Sequence, residues 1–530
     1  MTAPVPTSAP ERAEAPTAQP PGAPLRHHPT LRADDPADRR TAAQVHPPDW
    51  TNPEPKARYH LVVVGAGTGG LVTAAAAAGL GARVALVERS LMGGDCLNVG
   101  CVPSKSVIRA ARAWHEARGA AERFGGPRVE GDGDFAAAVG RLREVRAHFA
   151  PVDGAPRFAG LGVDVFLGQA RFTGPDAVEV GGRTLRFRRA VIAAGARAAV
   201  PDVPGLAESA YYTNETIFSL DRRPEHLVVL GGGPIGCELA QAFARLGTRV
   251  TLLDRGDRLL ARDDADAGRV VERAMARDGV EVWHGAELRR VEARGEASTL
   301  HVRQAGRDRT LETDALLVAA GRTPNVDGLG LEAAGVRYDA VRGVEVDDRL
   351  GTSNPRVYAV GDACSPLKFT HAADFQARLV VQNALFFGRG RASALVTPWV
   401  TYTSPEVAHV GLTEAGARER GTAVDVVTVE LGEVDRAVID DATEGFCRVL
   451  LARGTDRIVG ATFVGEHAGE TIGEVALAMT AKLGLGAIGR TMHPYPTQAE
   501  ALRKAADQWR RRKLTPRVRR LFGAYFRALG

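Results

Sequence analysis

Short apolar runs punctuated by glycine set the rhythm of this chain. His60–Val64 reads as a buried strand, followed by a glycine-rich turn, an alanine-rich helix over Leu71–Leu80 and a second strand at Arg83–Val87. The alternation returns at Leu227–Leu230, with a helix at Cys237–Leu246 and a strand at Arg249–Leu253. Runs such as Leu61–Val64 have the length of buried strands, and no apolar run approaches that of a membrane span. After Glu500 the pattern predicts a helix to about Lys513, a break at Thr515-Pro516 and a second, amphipathic helix over Val518–Leu529. The first 56 residues show no periodicity. They are rich in proline and alanine, carry charges of both signs, and are expected to form a disordered tail.

Length and composition narrow the class. A chain of 530 residues exceeds one compact core, which implies two to four domains. With 45% hydrophobic and 25% charged residues it has the make-up of an ordinary globular protein. A net charge of +5 over this length is too small to suggest nucleic acid. Met1–Pro24 lacks the apolar core of a secretory signal, and the acids Asp34, Asp35 and Asp38 argue against a transit peptide, so the expected compartment is cytoplasmic. In a reduced compartment a close cysteine pair points to catalysis or metal binding rather than to a structural disulfide.

Each of the two strand–turn–helix–strand units carries a G-x-G-x-x-G turn. The first is Gly65, Gly67 and Gly70, with Glu88 at the end of the second strand. The second is Gly231, Gly233 and Gly236, with Asp254 in the matching place. Glycines let the backbone turn tightly and approach a pyrophosphate, the helix N-terminus offers N–H groups to it, and the acid accepts hydrogen bonds from a ribose diol. Each first glycine precedes its acid by the same interval, and two copies in full context suggest two dinucleotides, FAD and NAD(P). A carboxylate at Asp254 favours NADH, since it would repel the 2′-phosphate of NADPH. Arg255, Arg258 and Arg262 follow it, in either a solvated loop or a phosphate site.

Directly after the first unit runs Gly93-Gly94-Asp95-Cys96-Leu97-Asn98-Val99-Gly100-Cys101-Val102-Pro103-Ser104-Lys105. Cysteines at this spacing could bridge across the first turn of a helix. Zinc would call for a second Cys or His pair, and Cys237, Cys364 and Cys447 are scattered, so no metal is expected. Cys364 and Cys447 are expected in or near the core.

The segment Gly93–Lys105 resembles the active-site motif of the class I flavoprotein disulfide reductases, a family that includes dihydrolipoamide dehydrogenase, glutathione reductase and mercuric reductase. Residues 58 to about 505 are similar to that family. Ala193-Ala194-Gly195, Ala319-Ala320-Gly321-Arg322-Thr323-Pro324-Asn325, Val357–Asp362 and Tyr402–Ala408 resemble further motifs in the same order. The resemblance implies an α/β fold of two Rossmann-like nucleotide-binding domains and a C-terminal α+β dimerisation domain. It divides the chain into an FAD domain (57–200 and 325–392), an NAD(P) domain (201–324), an interface domain (393–505) and a basic helical tail (506–530).

By the same resemblance, Gly94, Gly195, Gly361, Asp362 and Gly321 join the cofactor sites, with Asp362 on the FAD ribityl chain. Cys101 is the thiolate next to the flavin and Cys96 the interchange thiol. Lys105, held by Glu238, balances charge on the reduced flavin. A general-base histidine followed by Pro-Thr-x-x-Glu completes the partner's site in family members that handle dithiols. Here Tyr495 stands in the base position, with His493 two residues earlier and Glu500 closing the motif. Tyrosine is a poor base at neutral pH. Mercuric reductases carry tyrosine there, yet this chain has no cysteine after Cys447, where those enzymes carry a delivery pair. Asp95 replaces the threonine of many relatives.

The implied function is NAD(P)H-dependent reduction of a disulfide or metal-thiolate by an FAD-containing homodimer, mercuric reductase-like or dihydrolipoamide dehydrogenase-like. Two other classes compete: a diaphorase acting on quinones, and a redox-regulated binding protein. The tail helix is expected to pack its apolar stripe on the parent domain rather than lie on a membrane.

Overall fold

The structure is a computed structural model that describes residues 30–131, 133–295 and 297–530. Along Tyr59–Val64 every residue except His60 is buried, as a parallel strand covered on both faces requires. It lies between Val84–Glu88 and Arg183–Ile192, with Asp164–Leu167 outside the former. Strand Val357–Ala359 returns from far along the chain to pair with the other side of Arg183–Ile192. An antiparallel meander of Ala170–Gly174 and Ala177–Val180 extends the same sheet.

The second unit repeats the plan. Five parallel strands run in the order Val280–Trp283, Arg249–Leu253, His226–Leu230, Ala315–Val318, Tyr211–Tyr212. A three-stranded antiparallel sheet over Ala286–Thr313 follows. The short pair Ala196–Ala198 and Arg322–Pro324 ties together the entry to this unit and the exit from it. The C-terminal part is a five-stranded antiparallel sheet, with Glu406–Gly411 and Ile458–Gly465 at its centre and Ala468–Thr480 and Glu500–Arg512 as its main helices.

The ends depart from the sequence reading. The expected tail over 1–56 is ordered from residue 30; its first 29 residues lie outside the described residues. Pro36–Val45 is a helix, capped by Asp35, whose carboxylate accepts from Ala37 N and Asp38 N. Leu31, Ala42 and Val45 are buried against the first unit. Further on, the Asn52 side chain pairs with Leu167 N and O, closing the edge of strand Asp164–Leu167. This helix has few apolar residues and is held by tertiary contact, which periodicity cannot report.

At the other end, Glu500–Arg512 buries Ala501, Leu502, Ala505 and Ala506, so the core runs past residue 505. Helix Pro516–Ala528 buries nothing, against the expectation that it packs on its parent domain. No helix among the described residues is long and apolar enough to cross a membrane.

Asp38 and Arg146 form a fully buried ion pair at 2.5 Å between the N-terminal helix and helix Phe135–Asp153. Asp38→Ala leaves the Arg146 charge without its partner and is expected to cost about 3–5 kcal/mol. Arg40→Ala, which breaks an exposed pair with Glu144, should cost under about 1 kcal/mol. Thermal unfolding of the two variants checks the contrast.

Candidate active site

Both glycine turns are built by the same steric demand. A Cβ on Gly70 would overlap the Gly65 carbonyl, and one on Gly236 would overlap the Gly231 carbonyl. These third glycines do not line the cavity, contrary to their expected place among the cofactor contacts. They let helix and strand approach each other. Helices Thr68–Gly79 and Pro234–Arg245 each begin at an extended glycine, Gly67 or Gly233, with no side-chain cap, so their first-turn N–H groups face an open cavity.

That cavity has a volume of about 1780 Å³. It is larger than a typical small-molecule pocket of roughly 300–1,000 Å³, and it runs continuously past both turns. Gly65, Gly67, Glu88, Gly94, Gly195, Gly361 and Asp362 line it in the first unit. Gly231, Gly233, Asp254 and Gly321 line it in the second, and Cys96, Cys101, Lys105 and Glu238 stand between. Uncapped helix starts, glycine-lined turns and an acid at each second-strand end fit two dinucleotides. Glu88 accepts from Ala66 N at 2.7 Å and Ser90 N at 2.8 Å, which fixes its carboxylate at the cavity wall. Burial raises the pKa of Asp362. Arg258 is engaged by the carbonyls of Asp263 and Ala261, while Arg255 and Arg262 line the cavity beside Asp254.

Cys96 sits in the short helix Gly94–Asn98, and Cys101 opens the 24-residue helix Cys101–Phe124. Both are free thiols. Cys101 is lowered to about 6, first by a hydrogen bond from the Cys96 thiol, then by Thr370 and the Lys105 charge against the cost of burial. Cys96 moves up for the complementary reason. The uncapped N-terminus of the long helix favours the Cys101 anion as well. These surroundings favour the Cys101 thiolate, with the Cys96 thiol as its hydrogen-bond donor.

Three parts of the chain converge beside the cysteines. Lys105 Nζ lies 2.7 Å from Glu238 Oε2, and Glu238 Oε1 accepts from Tyr402 N at 2.9 Å. Glu238 is buried, so it is not the exposed helix residue that its early position in Pro234–Arg245 would also allow. Lys105 also stands 4.5 Å from the centre of the Tyr402 ring.

Sequence reasoning missed several participants. Thr370 Oγ1 is 3.4 Å from Cys101 Sγ, at the start of helix Thr370–Leu385, where no motif marks it. Phe369, His371 and Trp399 line the cavity, and the Phe369 ring is stacked with each of the other two. Asp95, the departure from the threonine of many relatives, pairs with Arg322, which also approaches Asp362 at 3.4 Å. The N-terminal segment takes part too: Thr30, His46 and Pro48 line the cavity, and Val45 O accepts from Met92 N at 3.0 Å. Arg146 donates to Asn98 O, between the two cysteines, at 2.9 Å.

The C-terminal candidates are not brought to this cavity within one chain. Tyr495 is exposed and donates to Asp435 at 3.0 Å. His493 is held by Glu474 at 3.1 Å, and Glu500 is buried with Arg503 as its partner.

A lowered thiol pKa means that the thiolate is present above about pH 6 and lost as pH falls below it. In the reduced protein, ultraviolet thiolate absorbance should titrate near that pH. Cys96→Ala, which removes the donated hydrogen bond, should move the midpoint up toward the free-thiol value of about 8.5.

Comparison with known proteins agrees with this geometry. The sequence model of pyridine nucleotide-disulphide oxidoreductases matches residues 59–377, and that of their dimerisation domain matches residues 397–506. A mercuric reductase of Streptomyces lividans is 37% identical over 85% of this chain and 96% of its own length. A dihydrolipoyl dehydrogenase of Thermus scotoductus is 34% identical over 85% of this chain and 97% of its own. The Cu(II) complex of the HOCl-induced flavoprotein disulfide reductase RclA from Escherichia coli superposes with a TM-score of 0.76 at 28% identity, over 86% of this chain and all of that one. The chain belongs to the pyridine nucleotide-disulphide oxidoreductases, an oxidoreductase family that depends on FAD and uses NAD(P)H.

Proposed function

We propose that this protein takes two electrons from NADH, through FAD, onto a Cys96–Cys101 disulfide and passes them to a metal-thiolate substrate. The observation that carries the reading is the Cys96 and Cys101 pair lining the cavity between the two glycine turns, beside the Lys105–Glu238 ion pair. The family relationship and the likeness to mercuric reductases support it.

FAD, when bound, relays hydride equivalents from the nicotinamide to the disulfide. The chain's own residues do the rest. The glycine turn at Gly65–Gly70 and Glu88 bind one dinucleotide, and Gly231–Gly236 and Asp254 bind the other. Two electrons and one proton open the disulfide to a Cys101 thiolate beside Lys105 and a Cys96 thiol. Cys96 displaces one thiolate ligand from the metal ion and gives that ligand its proton; Cys101 then attacks the Cys96 sulfur, the sulfur–metal bond breaks with its electron pair going to the metal ion, the remaining ligand leaves as thiolate, and the disulfide closes again. Lys105 balances negative charge beside the thiolate, and Glu238 fixes Lys105 against the Tyr402 ring.

A metal-thiolate substrate is favoured over a dithiol by the C-terminal residues. Dithiol chemistry needs a base to move a proton at the leaving thiol. Tyr495 is a poor base, and His493 is engaged by Glu474. Tyr495 reaches a site only if a second copy presents it, so the functional unit in this reading is a homodimer built on the dimerisation domain. Its 71% exposure in the single chain fits that arrangement.

Anaerobic NADH reduction should produce a long-wavelength charge-transfer band that Cys101→Ser removes. Of lipoamide, glutathione disulfide, Hg(II) and a quinone as acceptors, Hg(II) should turn over fastest. Cys96→Ser should cut Hg(II) reduction by about a thousandfold or more while quinone reduction persists. Quinone as the only acceptor, unaffected by Cys96→Ser, would make the protein a diaphorase instead. In the same assay kcat/KM should favour NADH, and Asp254→Ala should narrow its lead over NADPH; a clear NADPH preference overturns the reading of Asp254.

A further inference from the structure

Helix Pro516–Ala528 is the one long amphipathic helix among the described residues that buries nothing. It is well begun: the Thr515 side chain accepts from Val518 N and Pro516 holds the first position. At the helical period, Leu521, Phe522, Tyr525, Phe526 and Leu529 fall on one side of it, and Arg517, Arg519, Arg520 and Arg527 occupy the flanks and the opposite side. The apolar side chains stand 48–69% exposed. Tyr525 among them joins an apolar ring to a polar tip, the kind of side chain enriched at membrane–water interfaces.

Charge decides what can cover this face. After Asp507 the chain has no acidic residue, and Arg510, Arg511, Arg512 and Lys513 precede the four arginines of the helix. No arginine of the helix pairs with a carboxylate among the described residues. Two such helices laid face to face would set their arginine rows against each other, so a second copy of the helix is a poor occupant. A nucleic acid would neutralise the arginines and leave the aromatic stripe in water. A lipid surface meets both demands: acyl chains take Leu521, Phe522 and Phe526, and anionic headgroups take the flanking guanidinium groups.

We infer that helix Pro516–Ala528 binds the protein peripherally to an anionic membrane surface, lying in the plane of the headgroups. The inference is independent of what the cysteine pair reduces. The helix follows the core helix Glu500–Arg512 after a break at Leu514–Thr515, which lets it lie flat while the catalytic body stays in water.

The test is co-sedimentation of the full-length, FAD-loaded protein with vesicles. Phosphatidylcholine mixed with phosphatidylglycerol should carry the protein down at low salt; phosphatidylcholine alone should not, and high salt should release it. Phe522→Ser with Phe526→Ser should weaken binding by more than about tenfold. Each of Arg517→Gln, Arg519→Gln and Arg520→Gln should weaken it roughly fivefold. These positions lie outside the core, so flavin absorbance and quinone turnover should match the parent protein. No sedimentation with the anionic vesicles, or equal sedimentation of the Phe522→Ser/Phe526→Ser variant, overturns the inference. So does conversion of that variant from dimer to monomer in analytical ultracentrifugation, which would make the helix a subunit contact.

Discussion

A carboxylate buried where three parts of a chain meet has to be neutralised on the spot. Glu238 is neutralised by Lys105 from the long helix behind the cysteines and by the amide of Tyr402 from the start of the C-terminal part. Lys105 in turn lies against the Tyr402 ring and lends its charge to the Cys101 thiolate. Loss of Lys105 leaves the Glu238 carboxylate buried without its countercharge, which is costly in a low-dielectric site. The first glycine-turn unit, the second and the C-terminal part therefore meet at one contact beside the two cysteines.

The two nucleotide units show one steric solution used twice. The strand carbonyl at Gly65 or Gly231 needs its helix so close that no Cβ fits at Gly70 or Gly236. This closeness aims the helix start at the cavity. Because the first-turn amides lack side-chain caps, their hydrogen-bonding capacity is left for a phosphate. Fold and binding thus share one constraint.

That constraint is why so much was legible before the structure. Glycines required by close approach, an acid at a fixed interval and a cysteine pair in a long motif are local in sequence, and the structure places most of them around one cavity. What escaped was non-local. Thr370 and Trp399 are single residues in unmarked segments, brought in by the return of the chain through Val357–Ala359 and by the edge of the C-terminal sheet. The helix at Pro36–Val45 hides in a proline- and alanine-rich stretch because its stability comes from Asp38, Arg146 and a few small apolar contacts. Tyr495 could be aligned to a motif, but alignment does not say which copy of the chain it serves.

The five cysteines divide into two chemical populations. Burial holds Cys237, Cys364 and Cys447 on the protonated side of neutrality, where they react slowly. Cys101 is shifted the other way, toward the thiolate, by the hydrogen bond from its neighbour Cys96. An oxidant entering the cavity therefore meets the one thiolate that has a resolving partner. A sulfenic acid formed there is captured as a disulfide before it can climb to an irreversible state. The arrangement that makes this pair reactive also confines oxidative damage to a bond that reduction can reopen.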